Sequence, residues 1–409
     1  MPPATAIRAH RFRLEPTAAQ AQFLERAGGA RRFVYNWGLA AWREYYSAEG
    51  TSPPRGYLSA ELTRLKRDGT LAWLYDLPAQ LPQQALLDLE RAFKAFLRGR
   101  GGYPRFRRKK GPKMSFRLPQ HVRIDNHWVY VPKLGWIRAR VSRDPGIDLG
   151  AATVSRGCDG RWFVSINERF VLPSSRGSCD EDVVGVDAGL IDLLVCSDGR
   201  RVSAPRFART AENQVRREQR RYARTQPGSR RRERARRRLA RRHGRVADRR
   251  QDFLHKITTK ITTEHDVVVL EDLSLHALAK TKLGKSFGDA ALGELQRQLR
   301  YRALWTGQRT VTVDRFFPST KRCSSCSLVA PTLGLGQRSW RCEHCHAVHD
   351  RDLNAALNLR REGLRLLHDR GAHGHDESPR SPGQTPTGAP DVETGTAPDG
   401  GCQTGSILV

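Results

Sequence analysis

No stretch of the 409-residue chain approaches the ~20 consecutive apolar residues that a membrane-spanning helix needs. The opening residues, Met1-Pro-Pro-Ala-Thr-Ala, lack the apolar core of a secretory signal. Acidic side chains are scarce: 42 Asp and Glu stand against 72 Lys and Arg, a net charge of +30. Cysteine is too sparse, at eight residues, to staple a chain of this length as a disulfide scaffold. Four of the eight (Cys158, Cys179, Cys196 and Cys402) are scattered and have the look of ordinary thiols in a reducing cytosol. Residues 369–409 contain no aromatic side chain and are rich in Gly, Pro, Thr and Ser, so they are expected to be disordered. A membrane-spanning protein and a disulfide-stapled secreted scaffold are thus poor descriptions. A pI near 10.8 points to a polyanion partner, and nucleic acid is the common one.

What is present divides into two halves. Residues 8–14 alternate apolar and basic as a short strand does. Pro16-Thr17 opens a helical region in which Gly28-Gly29 is expected to break the first helix. An amphipathic stretch carrying Leu86, Leu89, Phe93 and Phe96 runs to Gly99. The segment after it mixes aromatics with cations: Tyr103, Arg105, Arg107, Arg108, Lys109 and Lys110. Bases stack on rings while cations hold phosphates, so this loop is a candidate for nucleic-acid contact, as are Arg32, Tyr35 and Asn36. Short β-runs separated by turn residues follow between Ser115 and Ile166, and a small barrel is the expected form.

Past a polar linker near residues 173–182, strands and helices alternate as in an α/β domain. A basic helical stretch from Pro205 to about Thr263 is interrupted at Pro227-Gly228. Between residues 206 and 250 it holds nineteen arginines against four acids. Solvated charged helices usually alternate signs, so this one-sided coat calls for a polyanion beside it. Arg217, Arg221, Arg231, Arg238 and Arg242 are the candidate phosphate contacts.

Near the C-terminal end stand Cys323-Ser-Ser-Cys326 and, fifteen residues on, Cys342-Glu-His-Cys345. Two CxxC turns at that separation supply four thiolates, the set that a structural zinc ribbon requires. Three acids also stand out. Asp187 closes the strand Val183-Val-Gly-Val186, Glu271 closes Val267-Val-Val-Leu270, and Asp352 opens a helix. Acids at strand ends and a helix start can converge on one edge of a sheet and hold two Mg2+ ions for phosphodiester hydrolysis. Each is weak alone: an Asp after a strand is often a turn residue, Asp352 could be a helix cap, and Asp272 and Asp350 compete with their neighbours.

Together the segments Arg13-Leu-Glu-Pro16, Arg32-Phe-Val-Tyr-Asn36, Tyr103-Pro-Arg-Phe-Arg107, Gly185-Val-Asp-Ala-Gly189, Phe317-Pro-Ser-Thr-Lys321 and Asp350-Arg-Asp-Leu-Asn-Ala-Ala-Leu-Asn358 make the chain resemble the TnpB (OrfB-type) family of insertion-sequence proteins. That family is related to type V CRISPR effector nucleases. The resemblance covers about residues 8–367 and implies a multi-domain α/β plus β-barrel architecture. Its parts would be the first strand of a wedge-type barrel in 1–15, a helical recognition lobe in 16–105 and the rest of the barrel in 106–180. A RuvC-like core of the RNase H type would fill 181–317 with basic helices at 205–263, followed by the ribbon in 318–346, a last RuvC-like segment in 347–368 and a tail. The resemblance assigns Asp187, Glu271 and Asp352 as the acidic triad and prefers Asp352 to Asp350. It implies Mg2+, one structural Zn2+, a guide RNA from the element's own end, double-stranded target DNA and one protein per guide. The setting would be a bacterial or archaeal cytoplasm beside the nucleoid. Two rival readings are a guided DNA binder without cleavage and an unguided transposase. The chain has no His-hydrophobic-His motif with a partner tyrosine to support the latter.

The charge balance predicts steep salt dependence. A protein that neutralises six to ten phosphates loses about 10³–10⁵ in affinity between 50 and 200 mM salt. Binding titrations across that range should show the loss, and a flat response would refute a phosphate-binding role for the arginine-rich stretch.

Overall fold

The computed structural model describes residues 4–109, 114–173, 182–334 and 336–372. Lys110, Cys179, Cys402, most of the expected linker and the expected tail beyond residue 372 lie outside them. Among the described residues no helix is long and apolar enough to cross a membrane. The described residues divide into two compact units, 5–170 with 226–241, and 171–225 with 242–372 and residue 4.

The first unit begins with β1 (Thr5–Leu14), α1 (Ala18–Glu49), α2 (Tyr57–Arg67), a 3-10 turn (Ala72–Asp76) and α3 (Gln80–Leu97). Six strands follow: β2 (Met114–Leu118), β3 (Arg123–Asp125), β4 (Trp128–Val131), β5 (Gly135–Arg140), β6 (Leu149–Arg156) and β7 (Trp162–Val171). Thr17 and Gln20 form a reciprocal capping box that starts α1. Gly28 and Gly29 do not break this helix, contrary to the expectation from sequence. A helical glycine costs only about 1 kcal/mol. Burial of Leu24, Ala27, Val34 and Leu39 along the same helix outweighs it.

The expected barrel is an open sheet. Its seven strands run in the order β2-β6-β7-β1-β5-β4-β3, and no pairing of β2 with β3 closes it among the described residues. β1 lies at the centre, between β7 and β5. Phe12, Phe116, Ile137, Val164 and Ile166 of the strands share one core with Leu24, Val34, Leu81 and Leu89 of the helices. Helices therefore cover apolar surface that a closed barrel would cover with itself.

The second unit contains β8 (Val183–Ala188), β9 (Asp192–Cys196), β10 (Arg201–Ser203), α4 (Phe207–Ala223), α5 (Arg230–Glu264, shared with the first unit) and β11 (Val267–Glu271). Then come α6 (Leu275–Lys280), α7 (Gly284–Ala290), α8 (Leu292–Thr306), β12 (Arg309–Val313), β13 (Ser339–Arg341), β14 (Val348–Asp350) and α9 (Arg351–Ala372). The last helix thus runs four residues past the boundary expected at 368. Five strands form a sheet ordered β10-β9-β8-β11-β12, with β11 parallel to both neighbours. Strand alternation sorts its apolar residues onto two faces. Val184, Val186, Val268 and Leu270 pack with Leu254, Ile261, Leu295 and Leu299 of α5 and α8. Val183, Val267, Val269, Val311 and Val313 pack with Leu359 of α9.

On that second face α9 comes unusually close to β8. A Cβ at Gly185 would lie 2.1 Å from the Ala356 carbonyl oxygen and 2.6 Å from the Arg360 nitrogen, so only glycine fits there. By contrast, a Cβ at Gly288 in α7 meets nothing within 4 Å. Gly185→Ala should therefore destabilise the protein by about 3 kcal/mol, since backbone cannot yield cheaply. Gly288→Ala should leave stability unchanged or raise it by up to about 1 kcal/mol. Chemical denaturation of the two variants measures the contrast; equal midpoints would refute the close approach.

Candidate active site and metal centre

Asp187 and Glu271 reach the α9 face of the sheet by register. Val183 pairs with Val267 and Val186 with Leu270, so the next residues, Asp187 and Glu271, stand level at the C-terminal ends of parallel strands. Alternation places both on the face of Val183, Gly185, Val267 and Val269, the α9 side. The helix supplies the third acid by matched spacing. Arg360 Nε donates to the Val183 carbonyl at 2.8 Å, and Ala356 abuts Gly185. Two strand residues advance about 6.6 Å and four helix residues about 6 Å, so the antiparallel helix puts Asp352 opposite Asp187.

The electrostatics agree with this placement. Burial, then the charges of Asp352 and Glu271, push the Asp187 carboxyl up to about 7, against opposing pulls from Arg351 and the Ala188 backbone. Burial and the neighbouring Asp272 raise Glu271 as well. Asp352 is drawn to Arg338, whose Nη1 donates to it at 2.9 Å.

The competing acids have other tasks. Asp350 accepts from the backbone nitrogens of Asp352 at 3.1 Å and Leu353 at 2.9 Å, so it caps α9. It also pairs with Arg201 at 2.7 Å. Burial alone would raise its proton affinity, yet the Leu353 amide and Arg201 leave it below the usual value. The helix-cap role open to Asp352 from sequence thus falls to Asp350. Asp272 is paired with Arg315 on the surface.

The four cysteines of the two knuckles are free thiols, and their Sγ atoms all lie within 4.8 Å of one another. Among the described residues this is the one group of three or more possible ligands so close. The carboxylates of Asp187, Glu271 and Asp352 are looser. Cys323–Cys345 and Cys326–Cys342 are each 3.6 Å apart. A zinc–sulfur distance of about 2.3 Å in a tetrahedron gives edges of about 3.8 Å, so the set fits zinc. The knuckles are alike: Ser327 and His346 follow them with left-handed φ of 68° and 60° and donate to the Cys323 and Cys342 carbonyls. His349 stands beside the tetrad, its Nε2 3.0 Å from Cys323 Sγ and its ring against Trp340.

The nucleic-acid candidates separate by burial. Arg105, Arg108, Lys109, Arg217, Arg221, Arg231 and Arg238 are exposed, and Arg32 is partly exposed. Arg221 also pairs with the buried Glu218, and Arg242 donates to Gln214. Tyr103 is 38% exposed, but its ring packs edge-on against Phe93 and Phe96. Tyr35 and Asn36 are corrected to an internal role. Tyr35 is buried with the Arg107 guanidinium stacked 3.8 Å over its ring. Asn36 exchanges two hydrogen bonds with the Arg107 backbone. These three residues fasten the 103–109 loop to α1, because the ring is buried under Arg107 and both ends of the Asn36 amide are bonded to the Arg107 backbone. Asn354 and Asn358, which tie α9 to the first knuckle, were missed as functional candidates; their four-residue spacing beside the acid was the available signal.

A family model described as "Probable transposase" matches residues 172–282, one described as "Cas12f1-like, TNB domain" matches 293–359, and one described as "Helix-turn-helix domain" matches 1–51. In the last range the structure has a strand and one continuous helix. A Streptomyces pristinaespiralis protein named as a candidate RNA-guided DNA endonuclease is 36% identical over 87% of this chain and 89% of its own. A counterpart from Escherichia coli (strain K12), named in the same way, is 34% identical over 88% and 93%. A solved Cas12f1–sgRNA–target DNA complex aligns with 87% of this chain and 99% of its own at 14% identity and a TM-score of 0.46.

The raised proton affinity of Asp187 has a measurable consequence. Unfolded, the carboxyl titrates near 3.8, so between about pH 4 and 7 the folded chain holds a proton the unfolded chain has lost. Stability should therefore fall as pH rises through that window in divalent-free buffer. Asp187→Asn should remove this part of the slope and exceed wild type at pH 8 by on the order of 2 kcal/mol, allowing for the open side of the site. Denaturant midpoints at pH 5 and pH 8 test it; parallel shifts in both proteins would refute the buried cluster.

Proposed function

The chain belongs to the TnpB (OrfB-type) family of insertion-sequence proteins, and from that premise we propose that it is an RNA-guided, Mg2+-dependent DNA endonuclease with Asp187, Glu271 and Asp352 as its acidic triad. The observation that carries the reading is the meeting of three carboxylates on one apolar sheet face, close enough that two of them raise the proton affinity of the third. A protein with a charge of +30 gains nothing in stability from such a cluster. A divalent cation site gives the cluster a use.

In this reading Asp187 stands between the other two acids and contributes oxygens toward both sides. Glu271 is held by its place in β11, where Gln296 Nε2 grips its carbonyl at 2.8 Å. Asp352, on the first turn of α9 and paired here with Arg338, would take its share of the cation. Bound Mg2+ ions would activate water and stabilise the departing 3′ oxygen. The exposed arginines of α4 and α5 would hold phosphates, leaving sequence readout to guide–target pairing. The cysteine tetrad would hold one structural zinc. The partners would be a guide RNA from the element end and double-stranded DNA, with one protein per guide.

The test is expression with the native flanking DNA, followed by sequencing of copurified RNA. One abundant RNA ending at the element boundary is expected, and DNA matching its 3′ segment should be cut in Mg2+. Asp187→Ala should abolish cutting and leave guide and target binding within about twofold, because a contact used only for chemistry does not enter ground-state affinity. Random cellular RNA would overturn guidance, and a cutting Asp187→Ala protein would overturn the triad.

A further inference from the structure

The two asparagines of Asn354-Ala-Ala-Leu-Asn358 have no place in the chemistry above, yet both are 1% exposed. Spaced four apart, they project from one side of α9. Asn354 Oδ1 accepts from the Ser324 backbone nitrogen at 2.9 Å, one residue past Cys323. Its Nδ2 donates to the carbonyls of Arg322 at 2.8 Å and Thr320 at 3.3 Å. Asn358 Nδ2 donates to the same Arg322 carbonyl at 2.6 Å and to that of Ser319 at 2.8 Å. One turn further, Arg361 donates to the Ser324 carbonyl at 2.6 Å and to Ser327 Oγ at 3.2 Å. The first cysteine knuckle is thus laced to α9 through its own backbone. A fourth tie reaches the thiol itself, since His349, immediately before the cap Asp350, contacts Cys323 Sγ.

The Asn358 amide is turned wholly toward the knuckle backbone. Asn358 Oδ1 is buried and has no hydrogen-bond partner, and flipping the amide would set oxygen against two carbonyls. A leucine would fill the space and remove that unmet acceptor, but it would leave the Ser319 carbonyl without its donor, so what the amide supplies is the grip on the knuckle backbone. The opposite side of the same helix, through Ala356, rests on Gly185, and its first turn carries Asp352.

We propose that Asn354 and Asn358 are positioning residues that couple the cysteine centre to the first turn of α9, so that metal loading of the ribbon sets where Asp352 stands. The role assigned to Asp352 rests on the reading under the previous heading; the coupling itself does not. Thiolates gathered on zinc fix the 319–327 backbone, and that backbone presents the carbonyls and the Ser324 N–H that the asparagines grip. An empty ribbon leaves those groups free to move, and α9 loses its outer support.

The experiment uses the full-length protein, loaded with zinc and then stripped by chelator, and measures amide hydrogen exchange together with zinc affinity by chelator competition. In wild type, stripping should raise exchange in 319–327 and in 351–356 while leaving β8 protected. In the Asn354→Ala/Asn358→Ala double variant, 351–356 should exchange fast with zinc bound and respond no further to stripping. Its zinc affinity should fall roughly 10- to 100-fold, the usual effect of removing groups that orient metal ligands. Asn358→Leu keeps the packing and removes only the donor, so it covers the case of a double variant that fails to fold; it should show the same uncoupling in part. Asn358→Asp, which sets a carboxylate against two carbonyls, should not rescue. Exchange in 351–356 indifferent to zinc in wild type, or unchanged zinc affinity and response in Asn358→Leu, would overturn the proposal. Neither readout needs nucleic acid. Coupling without any cleavage would count against the nuclease reading alone, and cleavage without coupling against this proposal alone.

Discussion

The close approach of α9 to β8 at Gly185 is the constraint on which the rest of the second unit depends. With no side chain at 185, the helix backbone touches the strand backbone. That contact sets the helix's height above the sheet and, through the matched rise of helix and strand, which residue of the helix stands opposite Asp187. A larger residue there would lift α9 away and separate Asp352 from its partners. It would also open the apolar layer formed by Val183, Val269 and Leu359. One missing methyl group therefore serves packing and site geometry together. The other side of the helix is held by Asn354 and Asn358 against the knuckle, so α9 is gripped between a sheet and a ribbon.

Charge is distributed against the grain of the chain. A protein with thirty excess positive charges gathers acids at one place and accepts their repulsion there. Arg338 and Arg201 stand at the rim, on Asp352 and Asp350. Asp187, buried and facing the charges of Asp352 and Glu271, holds its proton more tightly. The arginine-rich helices show the reverse arrangement. Glu233 binds both Arg236 and Arg237, whose guanidinium groups, opposing a burial effect, draw its carboxyl down to about 2. So few acids neutralise only a fraction of the coat, and Arg217, Arg231 and Arg238 are among the arginines that stay exposed.

Much of this was legible in the chain. Paired CxxC turns announce a tetrahedral site because ligand spacing is a local property, and the four sulfurs do gather. Apolar runs closed by Asp187 and Glu271 announce parallel strands, and register then makes them neighbours. Pro227-Gly228 separates two basic helices as expected, since proline and glycine act where they stand. Local rules failed where distant partners intervened. Gly28-Gly29 stays helical because the core holds the helix around it. Tyr35 and Asn36 belong to the fold because Arg107, seventy-odd residues away, covers them. The β-rich segment stays an open sheet because helices share its core.

The sequence by itself determined most of the elements, the four cysteines that gather and the sign of the chain's own charge, since each follows from residue type and short-range spacing. Residue type and spacing could not tell which acid caps α9 and which faces the sheet; the fold shows it, in agreement with the preference that the family resemblance gave. Asp350 and Asp352 are two residues apart and chemically identical, and they differ only in their angle around the helix start relative to β8 and Arg201. Tertiary structure also decided that the two asparagines bind the knuckle, because a buried amide shows its purpose only through the carbonyls that the folded chain brings to it.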